Sequence, residues 1–342
     1  MKMLHIAKYA EDRPSGIKTV IEELIPNQQK KGLDVNFLNL INKKNDKLKE
    51  KYDLIIFHGI YIKEYLYFYK KIRNTPYIII PHCSLTKESL KRSRLKKGVF
   101  NLIAKKFYKN AKAIGFLNFE EKENSIRVNE NFIILPNGIN LPIKIDSKES
   151  LLKEDIKIIY LSRIDIYHKG LDLLLEAVKN IRNELLEKKI VINIYGNAFL
   201  KKNLDYLITE IEKNNLQKIL KYHGRVDGEN KKQAVQSSDL FILTSRFEGF
   251  PMSVLEGLSY GKPCILTEGT NMKGMIEKFN SGWVCKTNID EISRIILYAI
   301  EEYRLNKEKY INNAFKNSEE YSWEKIVDIH LKEYKKILME KS

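Results

Sequence analysis

The sequence predicts an α/β protein built from two doubly wound parallel sheets, and three observations carry that prediction. Short β-rich runs alternate with helical stretches, and the alternation occurs twice along 342 residues. Many of the β-rich runs are continuously apolar, as strands covered on both faces must be. Between the two series lies LPNGINLPIKIDSKES, residues 135–150, whose prolines, Asn-Gly turn and polar tail read as a hinge.

In the first half, strands are expected at 3–9, 35–40, 53–59, 77–82, 113–118 and 132–136. In the second they are expected at 157–162, 190–196, 220–224, 240–245, 263–268 and 282–286. The tyrosine-rich stretch 61–70 reads as a packed helix. SWEKIVDIHLKEYKKILME, 322–340, is amphipathic and is expected to pack back on the first domain. The resulting division is a first domain at 1–140, a linker at 141–155, a second domain at 156–320 and a C-terminal helix at 321–342. Two such domains facing each other would bind ligands in a cleft at the carboxyl ends of their strands.

No apolar run approaches the roughly 20 residues that span a bilayer. The stretch MKMLHIAKYAEDRPSG reads as a strand rather than a signal peptide, so the expected location is cytoplasmic. Cys83, Cys264 and Cys285 are widely spaced without a C-x-x-C, which suits reduced core thiols rather than disulfides or zinc ligands. The net charge of +16 is uneven: residues 1–150 carry +13 and residues 151–342 carry +3. The densest part, 87–112, has ten Lys/Arg and one Glu. Its cations, among them Lys91, Arg92, Arg94, Lys96 and Lys97, are interleaved with Leu95, Val99, Phe100, Leu102, Ile103 and Phe107. Such a segment suits an anionic membrane surface. The alternative is that its apolar residues pack on the first domain and its lysines are merely solvated.

The chemistry concentrates in SRFEGFPMSVLEGLSYGKP, 245–263. A strand leads into a loop holding Glu248 and Gly249, Pro251 suits the first helical position, and Gly261 with Pro263 supplies the stop. Backbone N–H groups around Gly249, Phe250, Met252 and Ser253, with Val254 behind them, favour an anion such as a phosphate. Carboxylates on either side, Glu248 and Glu256, accept hydrogen bonds from neutral hydroxyls. A ligand with phosphates in the middle and hydroxyls at both ends is a nucleotide sugar. Taken alone, the same pair also reads as a solvated loop charge and a surface helix residue.

With its two glutamates seven residues apart, this stretch resembles the E-x7-E signature of the retaining transferases of glycosyltransferase family 4. YLSRIDIYHKGLDLLLEAV (160–178), VINIYGN (191–197), YHGRV (222–226), ILPNGIN (134–140) and PSGIKTVIEEL (14–24) are similar to further segments of that family, so the resemblance covers essentially the whole chain. Ser162, where a glycine is commoner, and GNAFLKKN, which lacks the usual G-x-G-P turn, depart from the pattern. The resemblance implies the GT-B fold of two Rossmann-like domains. It also implies a retaining transfer of a hexose-type sugar from a nucleotide-diphosphate donor, UDP favoured, to a polysaccharide, lipid-linked or protein glycan acceptor. Arg163 and Lys169 would clamp the diphosphate, where two fixed cations stabilise the charge that develops on the leaving group. Glu248 would contact the transferred sugar and Glu256 the ribose, with Arg225 and Val226 near the base. Gly16 and Gly196 would line the donor site, and His82 would lie near the sugar; His58 and Glu121 are weaker polar candidates. The chain has no D-x-D, so no metal or other cofactor is expected. The competing readings are a nucleotide-sugar epimerase of the same architecture, a nucleic-acid-binding protein and a catalytically silent partner subunit. No recognisable nucleic-acid module accompanies the positive charge.

Overall fold

The structure, a computed structural model, describes residues 1–10, 15–42, 50–72, 75–91, 93–142 and 155–339. The second half of the expected hinge (143–150), Pro14 and Arg92 lie outside the described residues. The chain divides into two compact units: Met1–Gly138 with Tyr321–Ser342, and Ile139–Glu320.

The first unit contains β1 (Lys2–Ala7), β2 (Asp34–Asn39), β3 (Leu54–His58), β4 (Tyr77–Ile80), β5 (Ala113–Phe116) and β6 (Phe132–Ile134). Among the described residues they form one sheet in the order β2-β1-β3-β4-β5-β6, with every pair parallel. The chain builds outward from β1 on one side and then returns to add β3 on the other. The carboxyl ends of β1 and β3 therefore flank a topological switch point, the usual ligand crevice of such sheets. Strands β3, β4 and β5 are buried along their whole length, as their unbroken apolar runs require. The helix Trp323–Met339 lies against the helix Gly16–Lys30. Trp323 is 2% exposed and its Nε1–H donates to Glu23 Oε2 at 2.5 Å, while Lys31 pairs with Asp328 at 2.9 Å.

The second unit contains β7 (Ile156–Leu161), β8 (Ile190–Tyr195), β9 (Leu220–Tyr222), β10 (Leu240–Leu243), β11 (Cys264–Thr267) and β12 (Gly282–Cys285). Its described strands run in the order β12-β11-β10-β7-β8-β9, again all parallel, so its switch point lies between β7 and β10. All three cysteines are buried and unpaired with one another, as expected of core thiols.

Each of the twelve described strands falls on a run expected from the sequence, and every one of those runs extends too far at the carboxyl end. The difference matters at 77–82, because β4 stops at Ile80 and His82 does not end a strand. Pro81 cannot donate to a ladder, and His82 (φ 49°) and Cys83 (φ 68°) are left-handed, which no pleated strand accommodates. Glu121 holds this turn. Cys83 N donates to one carboxylate oxygen at 2.5 Å and Leu117 N to the other at 2.7 Å, both inside the core. Glu121 is therefore an internal brace rather than a ligand contact. Burial outweighs its two backbone hydrogen bonds and raises its carboxyl to about 7.

The first unit also buries His5, His58 and His330 and half-buries His82. Burial lowers His5 to about 3 and both His82 and His330 to about 4, and it holds His58 well below the ordinary value. Unfolding at acid pH therefore takes up protons that the fold refuses. Stability is fully present above about pH 6.5 and is lost as pH falls towards 4, by up to about 1.4 kcal/mol per pH unit for each histidine. Glu121 works in the opposite sense between about 7 and 4.5, as one group against four. The expected outcome is a marked fall in the urea midpoint of the first unit between pH 7 and pH 5, followed by far-UV circular dichroism. His330→Gln should flatten the slope.

Candidate active site

In the second unit, the turns after β7 and β10 meet at the switch point. Gly170 adopts φ +62°, and a Cβ there would lie 1.9 Å from Thr244 O, so only glycine lets these two turns touch. Thr244 Oγ1 donates to Gly170 O at 2.9 Å, and Arg246 N donates to His168 O at 3.0 Å. A two-pronged ion pair between Arg246 and Asp172, at 2.7 Å on each side, locks the junction.

This contact brings Lys169 and Glu248 together as a buried ion pair, although 79 residues separate them. Ser245 Oγ donates to the same carboxylate oxygen at 2.7 Å, and His168 Nε2 lies 4.0 Å from the other. The Glu248 backbone is held at both ends, its N–H by Gly269 O at 2.8 Å and its carbonyl by Asn271 Nδ2 at 2.5 Å. Burial by itself would raise the Glu248 carboxyl, but Lys169, with His168 and Ser245, outweighs it and holds the group below its ordinary value. Glu248 is thus a fixed, ionised hydrogen-bond acceptor. His168 stacks on Phe247 at 4.1 Å between ring centres and faces the exposed Arg163, whose Nη2 is 3.3 Å from His168 Nδ1. Burial lowers the His168 imidazole; Glu248 opposes the shift, and Lys169 and Arg163 add to it.

The structure gathers Arg163, Lys169 and Glu248 into one cluster through His168. The sequence reading missed His168, Ser245 and Asn271. His168 directly precedes Lys169 in YHKG, a proximity that was available as a signal, whereas Asn271 reaches Glu248 only through the fold. Glu256 sits one turn into the helix Met252–Ser259 and pairs with Lys231 at 2.7 Å, partly exposed. Pro251 lies one residue earlier than expected: its ψ of 112° is extended, so it caps the helix and Met252 is the first helical residue. Gly249, Phe250 and Ser253 surround this helix start, and Val254 is buried beneath it. Gly196 sits after β8, where its carbonyl accepts from Tyr222 at 3.0 Å. Arg225 and Val226 follow β9 at the sheet edge, and Arg225 pairs with Asp227 at 2.7 Å in solvent. Gly16 belongs to the other unit and is the first residue of the helix Gly16–Lys30. Among the described residues, no group of three or more His, Cys, Asp or Glu is placed to hold a metal ion.

In the first unit, His58 is 1% exposed and lies behind His82, with 3.0 Å between His58 Nδ1 and His82 Nε2. His58 is therefore inaccessible as a direct ligand contact. The basic segment forms the helices Lys87–Lys91, Arg94–Ile103 and Lys105–Lys109. Its apolar residues divide. Phe107 is buried and Phe100 packs on the same core, whereas Leu95, Val99, Leu102 and Ile103 are 86%, 60%, 76% and 65% exposed. Arg94 and Lys96 are exposed, Lys91 pairs with Glu88 at 2.5 Å, and Lys97 turns inward to Ser89 O at 2.6 Å.

Two parallel sheets with such switch-point loops are the architecture of GT-B glycosyltransferases. HepE of Anabaena, solved with UDP, superposes with a TM-score of 0.73 at 16% identity over 98% of this chain and all of that one. The family model for glycosyl transferases group 1 matches residues 143–317, and the chain belongs to that family. Relatives include a poly(glycerol-phosphate) alpha-glucosyltransferase of Bacillus subtilis, 26% identical over 66% of this chain and 33% of the relative. Another is an Escherichia coli UDP-Gal:alpha-D-GlcNAc-diphosphoundecaprenol alpha-1,3-galactosyltransferase, 24% identical over 75% and 69%. The chain spans between a third and about half the length of the first curated relatives it matches.

Because the Lys169–Glu248 pair is buried, removing one partner strands the other. Lys169→Met or Glu248→Gln alone should destabilise the second unit by about 3–5 kcal/mol, and the double variant by less than the sum. A double-mutant cycle in urea measures this. Strict additivity would show that the two groups do not interact.

Proposed function

We propose that the protein is a metal-independent, retaining hexosyltransferase. It takes the sugar from a nucleotide-diphosphate donor, UDP favoured, and passes it to a polysaccharide, lipid-linked or protein glycan acceptor in bacterial cell-surface glycan synthesis. The observation that carries this reading is the cluster of Arg163, Lys169 and Glu248 on the two turns flanking the β7–β10 switch point, just ahead of a helix start. In this reading Arg163, with Lys169, meets the negative charge that grows on the departing diphosphate, which stabilises the transition state more than the ground state. That cationic pair takes the part a divalent ion plays elsewhere. The helix start adds backbone dipoles of the same sense. Glu248, ionised and immobile, accepts from hydroxyls of the transferred sugar. Glu256 exchanges Lys231 for the ribose. Retention rests on the likeness of the two-glutamate stretch to its family. The choice of UDP is supported by the names of HepE's ligand and of the E. coli relative's donor.

Titration calorimetry with UDP, GDP, ADP and dTDP in EDTA tests the donor site, and selective binding of UDP is the expected result. Arg163→Ala should lower turnover by about a hundredfold or more. Near-normal turnover would remove Arg163 from the mechanism, and binding of no nucleotide, with or without magnesium, would overturn the reading.

The acceptor side of the proposal is a peripheral association with the inner face of the cytoplasmic membrane. Leu95, Val99, Leu102 and Ile103 fall on one stripe of the helix Arg94–Ile103, exposed and flanked by Arg94 and Lys96. A lipid-linked acceptor is consistent with the diphosphoundecaprenol in the E. coli relative's name. Sedimentation with phosphatidylglycerol vesicles should carry the protein down, and reversing Arg94 and Lys96 to Glu should release it. Wild-type protein that stays in the supernatant would sink the membrane assignment.

A further inference from the structure

The His168 ring lies between two partners whose hydrogen-bonding roles are fixed. Its Nε2 is 2.8 Å from Phe247 O, and its Nδ1 is 3.3 Å from Arg163 Nη2. A carbonyl oxygen can only accept, and a guanidinium can only donate. Nε2 therefore carries the proton, and Nδ1 offers its lone pair to Arg163. The two contacts together define one neutral tautomer.

His168 is anchored by the turns after β7 and β10, both in the second unit. Its N–H donates to Asp165 Oδ1 at 3.1 Å, and its carbonyl accepts from Arg246 N at 3.0 Å. The ring stacks on Phe247 with the planes 7° apart, and the side chain is only 15% exposed. Arg163 is exposed by contrast, and a long exposed side chain has many rotamers to sample. The hydrogen bond that its guanidinium makes is to this anchored ring. A cation held in place beforehand loses less freedom when an anion arrives.

We propose that His168, as its neutral Nε2–H tautomer, is a positioning residue that aims the Arg163 guanidinium, and that protonation of this ring releases Arg163. The role of Arg163 towards a departing diphosphate rests on the transferase reading; the tautomer and the hold on Arg163 do not. A proton on Nδ1 would replace the acceptor with a second donor and set an imidazolium 3.3 Å from the guanidinium. The charged groups facing the ring are Arg163, Glu248, whose Oε2 is 4.0 Å from Nε2, and Lys169 and Asp165 of the same turn. Arg246 is turned away to Asp172. Burial is the largest influence and lowers the imidazole; Lys169 and Arg163 add to the shift, while Glu248 and Asp165 oppose it. The ring is therefore neutral at neutral pH, and its hold on Arg163 is lost as pH falls below the ordinary 6.5.

The test is proton–nitrogen NMR on the full chain labelled with 15N-histidine and 15N-arginine, with turnover measured beside it. His168 should appear as one neutral species protonated at Nε2, and the Arg163 Nε–H signal should titrate with the His168 midpoint. Protonation at Nδ1, averaging between tautomers, or an Arg163 signal blind to His168 would overturn the proposal without reference to activity. His168→Phe keeps a ring against Phe247 but offers no acceptor, whereas His168→Asn supplies an amide oxygen in place of Nδ1. The phenylalanine variant should lower kcat by about tenfold or more, with a smaller change in donor KM. In an Arg163→Ala background the same substitution should add little, because His168 acts through Arg163. The asparagine variant should keep most of the turnover and lose the acid limb of the kcat/KM profile that the wild type shows below pH 6.5. Acid unfolding of the first unit would affect both proteins alike, so the difference between their profiles reports His168. If the two variants behave alike, or the effects of His168→Phe and Arg163→Ala simply add, the positioning role is wrong. Should no nucleotide sugar be turned over, the transferase reading fails, while the histidine and arginine signals still decide whether His168 holds Arg163.

Discussion

Close backbone approach at Gly170 is the constraint on which the chemistry of the second unit depends. The turn after β7 passes so near the end of β10 that a single methyl group would occupy the Thr244 carbonyl oxygen. Because the turns touch, Lys169 reaches Glu248 across the switch point, Arg246 reaches Asp172, and His168 stacks on Phe247. Burying two charges is costly, and such pairs survive where extra hydrogen bonds satisfy them. Ser245 and Asn271 supply those bonds around Glu248. The result is a carboxylate whose charge and direction are set before any ligand binds.

The first unit solves a different problem. Its sheet is covered by apolar residues, yet a column of histidines runs through it from His5 to His82, and His330 is tied at 2.9 Å to Pro136 O. Burial keeps these rings neutral, and neutrality is what lets each act as donor on one side and acceptor on the other. The turn at the end of the column is conformationally unfavourable, with two successive left-handed residues, and the Glu121 carboxylate offsets that cost through two backbone hydrogen bonds. Rigid support behind a partly open polar group is the common feature of the two units.

Membership of the glycosyl transferases group 1 family and a GT-B fold agree with this arrangement of loops at two switch points. The low identity to HepE, 16% with a TM-score of 0.73, has a physical reason. A parallel sheet asks its strands for apolar, β-favouring residues and accepts many substitutions among them. The loops, where chemistry resides, vary more freely. For that reason fold likeness says little about which sugar is handled, and a change of sugar epimer alters only a hydrogen bond or two.

The strands, their order of appearance and the two-glutamate stretch were legible in the sequence, because parallel strands buried on both faces need unbroken apolar runs and glycine or proline must mark their ends. Arg163, Lys169 and Glu248 were also singled out through likeness of local motifs, and the fold brings these three together. Their partners were not. Nothing local reveals that Lys169 meets Glu248, that Asn271 caps the Glu248 carbonyl, or that Glu121 braces a turn 38 residues before it. His5 reads as one more residue of an apolar strand, and its bond to His58 exists only because β1 and β3 are neighbours in the sheet. The basic segment shows the same division. Its composition specified an amphipathic helix, but only packing decided that Phe100 and Phe107 turn inward while Leu95, Val99, Leu102 and Ile103 stay in solvent. Periodicity and local turn chemistry act within a few residues and are written in the chain, whereas contacts between distant residues depend on which strands lie side by side, and that only the tertiary structure decides.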